Sequence, residues 1–248
     1  MSKFNCASIE MRIFIIAFTT LVLAANSSLA YRLEPLIVTL TPSGEQSRNE
    51  IVITNTLNKR IALQFKMLER SVTRDGQETR APEKKDFVIA PPQTLLDPGE
   101  KQMVRIQYVG PSNIDSENAY RLIADPVQVR KPENMEGTQV NVLIRYEAAI
   151  YVAPPDASPE VVVKNVTVAE AQPSKTRLMV TFQNRGTRHL LPENETLAVE
   201  HDGERLSLTD QALENFRTTN FLAGSTINLP IVVQGEIDSV EGLSVVIR

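Results

Sequence analysis

The chain has 248 residues, with 26 Lys and Arg against 30 Asp and Glu, a formal net charge of −4, one cysteine and no tryptophan. The acidic balance argues against nucleic-acid binding, which favours clustered Lys and Arg, and a lone cysteine excludes a disulfide framework. Stability must therefore come from buried apolar surface, and the length suits a short leader followed by two domains of about 100 residues each.

In chain order, Met11-Arg12 precedes an apolar run from Ile13 to Ala25 and then Ser28-Leu29-Ala30. A basic residue, a short apolar core and small residues at −3 and −1 read as a secretory signal peptide. The run falls short of the roughly 20 apolar residues of a membrane-spanning helix. Cleavage after Ala30 predicts a mature chain that starts at Tyr31, lies outside the cytoplasm and has lost Cys6. Met11 is a second candidate start.

Helical periodicity is scarce beyond that point. Short runs rich in Val, Ile, Leu, Phe and Thr predict strands over 36–40, 51–55, 61–68, 87–90, 102–109, 120–124 and 140–152. Pro91 and Pro92 cannot donate to a sheet ladder, so the chain must bend or sit at an edge there. Asp97-Pro98-Gly99 is a tight turn, since proline presets φ and glycine supplies φ > 0. Ala153-Pro154-Pro155-Asp156 interrupts the pattern as a linker. A second series follows over 161–168, 176–183, 196–200, 205–208, 226–233 and 243–247, with one turn of helix over 212–216. The spacing predicts an all-β protein of two β-sandwiches. The expected divisions are a signal peptide at 1–30, a first domain at 31–152, a hinge at 153–155 and a second domain at 156–248.

Catalytic chemistry finds no foothold. The two histidines, His189 and His201, lack a second ligand at metal spacing. There is no nucleophile elbow and no phosphate-binding glycine loop. The expectation is a non-enzymatic protein without metal or cofactor. Between 139 and 150, Val140, Val142, Ile144, Tyr146, Ala148 and Ile150 alternate with other residues. That period-2 stripe means one buried face, either in the chain's own core or against a partner.

The stretch FVIAPPQTLLDPGEKQMVRI, residues 87–106, resembles the amino-terminal domain of the periplasmic pilus chaperones, the PapD-like family. Its most specific signals are Leu96-Asp97-Pro98-Gly99 and Met103 to Ile106, and Ile51 to Asn55 is similar to another strand of that family. The resemblance implies two immunoglobulin-like β-sandwich domains in tandem with an interdomain cleft, and residence in the periplasm without stable membrane insertion. It also implies donor-strand complementation. The chaperone would lend Val140, Val142, Ile144 and Tyr146 to the groove of a pilin or fimbrial subunit, then deliver the subunit to an outer-membrane usher. An interdomain ion cluster would carry over onto Arg105, Glu117 and Asp238.

One departure is clear. The best-known members hold the client's terminal carboxylate with an arginine on the first strand and a lysine late in the seventh. Here the corresponding positions are Ile37 (or Thr39 in a shifted register) and Ala149. Tyr120-Arg121 resembles the alternate and archaic branches instead, which makes Arg121 the candidate anchor and Arg145 the reserve. Two other readings are an exported immunoglobulin-like structural or adhesive pilus subunit, and a secreted β-sandwich enzyme. The absence of tryptophan and of a catalytic constellation argues against the enzyme.

Overall fold

The computed structural model describes residues 31–83, 85–127 and 144–248. The chain is in the core from the first of these. Tyr31 is 3% exposed, and its hydroxyl donates to Ala124 O at 2.8 Å. Period-2 alternation then forms β1 (Arg32–Glu34), β2 (Ile37–Leu40), β3 (Arg48–Thr54) and the long β4 (Ile61–Val72). In β4, Leu63, Phe65 and Met67 are buried while Gln64 and Lys66 face solvent.

A hairpin returns as β5 (Glu78–Pro82), followed by β6 (Phe87–Ala90) and β7 (Gln93–Leu96). The next strands are β8 (Lys101–Tyr108), β9 (Asn118–Val127) and β10 (Tyr146–Val152). β6 pairs with β8 and β7 pairs with β4, so the chain changes sheets across Pro91-Pro92, where no ladder can continue. At the tight turn, Glu100 N donates to Asp97 O at 3.0 Å and Gly99 has φ 79°, which glycine reaches without a Cβ clash.

One sheet has the order β1-β3-β8-β6; the other runs β2-β10-β9-β4-β5, with β7 also on β4. Their inner faces share one core that includes Leu33, Ile51, Ile53, Val104, Leu122 and Ile150. Each such side chain contributes about 1.5–3 kcal/mol on burial. Asn55 directly follows β3 and is fully buried. Its amide donates to Leu96 O and Asp97 O, both at 3.1 Å, and so ties β3 to the tight turn.

The second sandwich holds β11 (Val161–Gln172), β12 (Lys175–Asn184), β13 (Leu197–His201), β14 (Glu204–Leu206), β15 (Thr226–Gln234) and β16 (Leu243–Ile247). Its sheets are β11-β12-β15 and β14-β13-β16. Asn184 repeats the device of Asn55: it is fully buried and donates to Arg188 O at 2.7 Å and Phe221 O at 2.9 Å. The expected single helical turn is longer than anticipated, as α1 (Asp210–Thr218). Thr209 caps it by accepting from Ala212 N, and Phe216 packs against Phe182 and Phe221.

Candidate functional site

The outer face of the β2-β10-β9-β4-β5 sheet carries the unusual chemistry. Strand register places Ile37, Ala149, Arg121 and Leu68 in one cross-strand row. The two positions that lack the usual anchor cations are therefore direct neighbours, and Arg121 stands one strand further along the same row. Ile37 is 62% exposed.

Arg121 is not free. Its Nε and Nη2 donate to the two carboxylate oxygens of Glu78, at 3.1 and 2.7 Å. This is the bidentate fork that suits a planar carboxylate. Arg80 Nε also donates to Glu78, at 2.7 Å. Arg70 Nε lies 2.7 Å from Glu78 Oε2, but that N–H is misaligned and has no hydrogen-bond acceptor. Arg80 is bound as well to Glu147 of β10 by two bonds, at 2.8 and 2.7 Å. Three guanidinium groups thus face two carboxylates. Partial burial pushes the Glu78 carboxyl up, but the hydrogen bonds from Arg121 and Arg80 and the charges of Arg70 and Arg121 more than reverse this, bringing it down to about 2.

The Arg70 side chain is only 6% exposed. Its Nη1 donates to the Tyr151 hydroxyl at 3.0 Å, and Asn220 Nδ2 of the second domain donates to the same oxygen at 2.8 Å. Tyr151 stacks on His189 with ring centroids 3.8 Å apart and planes 9° from parallel. His189 is held in turn by Glu117: its backbone N–H and its Nδ1–H donate to Glu117 Oε1 at 3.1 and 2.7 Å. Because a carboxylate only accepts, Nδ1 carries the proton. Glu117 N donates to Thr187 O at 2.8 Å, and Ala149, Tyr151 and Leu222 form a small apolar cluster beneath. A cleft of about 320 Å³ lies between the domains, lined in part by Arg70, Glu117, Ala119, Leu222 and Ser225.

The lending strand is seen only at its carboxyl end. Val140 and Val142 lie outside the described residues. Ile144 is half-buried just ahead of β10. β10 pairs with β9 along its whole length, but its ladder to β2 begins only at Ala149 opposite Ile37. Among the described residues, the edge of Tyr146 to Ala148 that would face β2 has no strand beside it, and Leu36 and Ile37 are exposed next to it.

Several expected site residues have other partners. Tyr146 is taken up by the chain's own core: its ring lies 4.6 Å from that of Tyr31, because the even positions of β10 point inward. The trio Arg105, Glu117 and Asp238 is not brought together. Arg105 projects from β8 and pairs with Glu50 on the adjacent β3 at 2.9 Å. Asp238 is exposed and in no ion pair among the described residues. Glu117 does reach the second domain, but through His189, with Arg188 3.9 Å away. Arg145 is exposed and pairs with Asp125, which also binds Lys66 at 2.6 Å.

Sequence reasoning passed over Arg70, Glu78, Arg80, Tyr151, His189 and Asn220. Glu78 and Arg80 lie on β5, a polar strand with no apolar alternation to reveal it. His189 looked like an isolated histidine, and its partners are distant in sequence. Tyr151 had one available signal, since it shares the odd parity of Arg145 and Glu147 at the end of an apolar run.

Two tandem β-sandwiches with a charged cleft between them are the architecture that the chain presents. The family model described as pili and flagellar-assembly chaperone, PapD N-terminal domain, matches residues 33–158, and the chain belongs to that family. The reading as an exported structural subunit is accordingly not favoured. Among solved structures, the chain is similar to one from a chaperone–tip adhesion subunit pre-assembly complex, CsuC–CsuE, of the archaic chaperone-usher Csu pili of Acinetobacter baumannii. The identity is 14%, covering 81% of this chain and 89% of that one, with a TM-score of 0.51. It is also similar to a chain of a chaperone–tip adhesin complex of CFA/I fimbriae biogenesis, at 11% identity over 88% of this chain and 98% of that one, with a TM-score of 0.54. The class 5 fimbriae chaperone CfaA matches at 12% identity, 88% and 99% coverage and a TM-score of 0.50. At these identities the likeness is one of fold. No curated protein matches the sequence.

Proposed function

We propose that this chain is a periplasmic chaperone of the chaperone-usher pathway that stabilises a pilin or fimbrial subunit by lending it a strand and then delivers it to an outer-membrane usher. The observation that supports this most is the open edge of β10. Among the described residues its amino-terminal half is paired on one side only, exposed Leu36 and Ile37 flank it, and the chain leading into it carries Val140, Val142 and Ile144 at alternate positions. An unpaired apolar edge is an aggregation hazard unless a partner covers it. A client strand laid along it would gain backbone hydrogen bonds, while alternate side chains fill the client's groove.

In this reading Arg121 anchors the client's terminal carboxylate, residues 153–155 act as the hinge, and the process needs neither catalysis nor cofactor. Residues 1–30 are, in this reading, removed on export and the mature chain, starting at Tyr31, works in the periplasm. Periplasmic co-expression with a cognate pilin should give a one-to-one complex whose chaperone begins at Tyr31. A pilin that aggregates while the chaperone elutes alone contradicts the reading.

A further inference from the structure

An anchor must be able to receive its ligand, yet the Arg121 fork is filled by Glu78 through two hydrogen bonds. We propose that Glu78 is an internal stand-in for the client's terminal carboxylate: it occupies the fork in the free chaperone and is displaced when a free C-terminus arrives. This rests on Arg121 being the anchor.

The placement of Glu78 suits a removable group. β5 is the last strand in its sheet order, its residues beyond Glu78 are exposed, and Glu78 itself is only half-buried. Swinging the side chain away leaves the β4–β5 backbone ladder intact, from Leu68 opposite Pro82 to Val72 opposite Glu78. Arg80 remains held by its two bonds to Glu147.

The cations cannot leave so easily. Arg70 is almost wholly buried, with an N–H that lacks an acceptor, and it lines the interdomain cleft. A buried guanidinium needs a counter-charge. Glu78 supplies one before binding, and an incoming carboxylate supplies one afterwards. Exchanging one carboxylate for another keeps the charge-assisted bonds, so the client's strand contacts decide the outcome. An uncharged chain end cannot make the exchange and leaves Glu78 in place.

The probes are two nine-residue peptides of alternating Val and Thr, one with a free C-terminal carboxylate and one amidated, titrated by fluorescence polarisation. With the unsubstituted protein the free acid should bind about as tightly as the amide, since its carboxylate replaces one already in the fork. Glu78→Gln should tighten the free acid by about tenfold, the scale of one charge-assisted hydrogen bond, and leave the amide unchanged. Equal binding of both peptides to both proteins would remove Arg121 as the anchor, and this proposal with it. A free-acid preference that is the same in both proteins would overturn the stand-in and leave the anchor standing. A readout in the unsubstituted protein guards against a variant that does not fold. The carboxyl carbon resonance of Glu78 should move on adding the free acid and stay fixed with the amide. A resonance that stays fixed under tight free-acid binding overturns the proposal.

Discussion

Glu117 lines the cleft and Glu78 pairs with Arg70, which also lines it, and the two glutamates differ in which side of the pairing is left incomplete. Glu78 is surrounded by Arg70, Arg80 and Arg121, all from its own sandwich, so that corner has cations to spare. Glu117 has a side chain only 1% exposed, bonds across the junction to His189, and keeps Oε2 without a hydrogen-bond donor. A half-buried carboxylate oversupplied with cations on an edge strand marks a place where an anion can be received. A buried carboxylate with a cross-domain partner marks a latch. Burial and strand of origin, rather than residue type, separate the two roles.

The contrast breaks most readily at the latch. Glu117→Ala leaves the His189 backbone and ring N–H groups unpaired at the junction, which costs about 2–3 kcal/mol. Thermal unfolding should begin lower, and proteolysis near Pro154-Pro155 should speed up. Unchanged cleavage and unchanged solution scattering would show that other contacts fix the domain angle. At the receiving corner, Arg121→Ala should weaken a pilin complex about tenfold with the fold retained. Arg145→Ala should change it by less than about twofold, since its pair with Asp125 is exposed. Comparable losses from both variants would move the anchor off Arg121.

A slower change comes with pH. The Glu78 carboxyl is lowered from 4.5 to about 2 in the folded chain, so its pairing stabilises the fold fully above pH 4.5 and is lost as pH falls toward 2. The gap in melting temperature between the unsubstituted protein and Glu78→Gln should close across that window. A gap that stays constant down to pH 2 would mean the Glu78 charge does not matter to the fold. The smallest effect belongs to Arg105. Its exposed pair with Glu50 should be worth about 0.5 kcal/mol or less, so Arg105→Ala should be nearly silent in both stability and domain orientation.

The strands were largely legible because apolar alternation reports burial directly. Pro91-Pro92 and Asp97-Pro98-Gly99 also announced the sheet switch and the turn through their own backbone limits. What stayed hidden lacks such a signal. β5, with the sequence Glu-Thr-Arg-Ala-Pro, has no apolar stripe because both of its faces are largely exposed. Tyr151, His189 and Asn220 meet only because two sandwiches pack together, and no local pattern records that contact. Arg105 shows the converse error. A charge carried over by position on a strand was assigned to the junction, while the register of β8 against β3 turns it toward Glu50 instead.

The central claim, that the chain ahead of β10 completes a client's fold, is tested most directly by Ile144→Asp. A carboxylate forced into an apolar groove costs several kcal/mol. Circular dichroism and the affinity for purified pilin, measured on the same sample, should show an unchanged fold and loss of the one-to-one complex. A folded variant that binds the pilin at full strength would contradict strand lending at this position, and a variant that unfolds would assign Ile144 to the chaperone's own core.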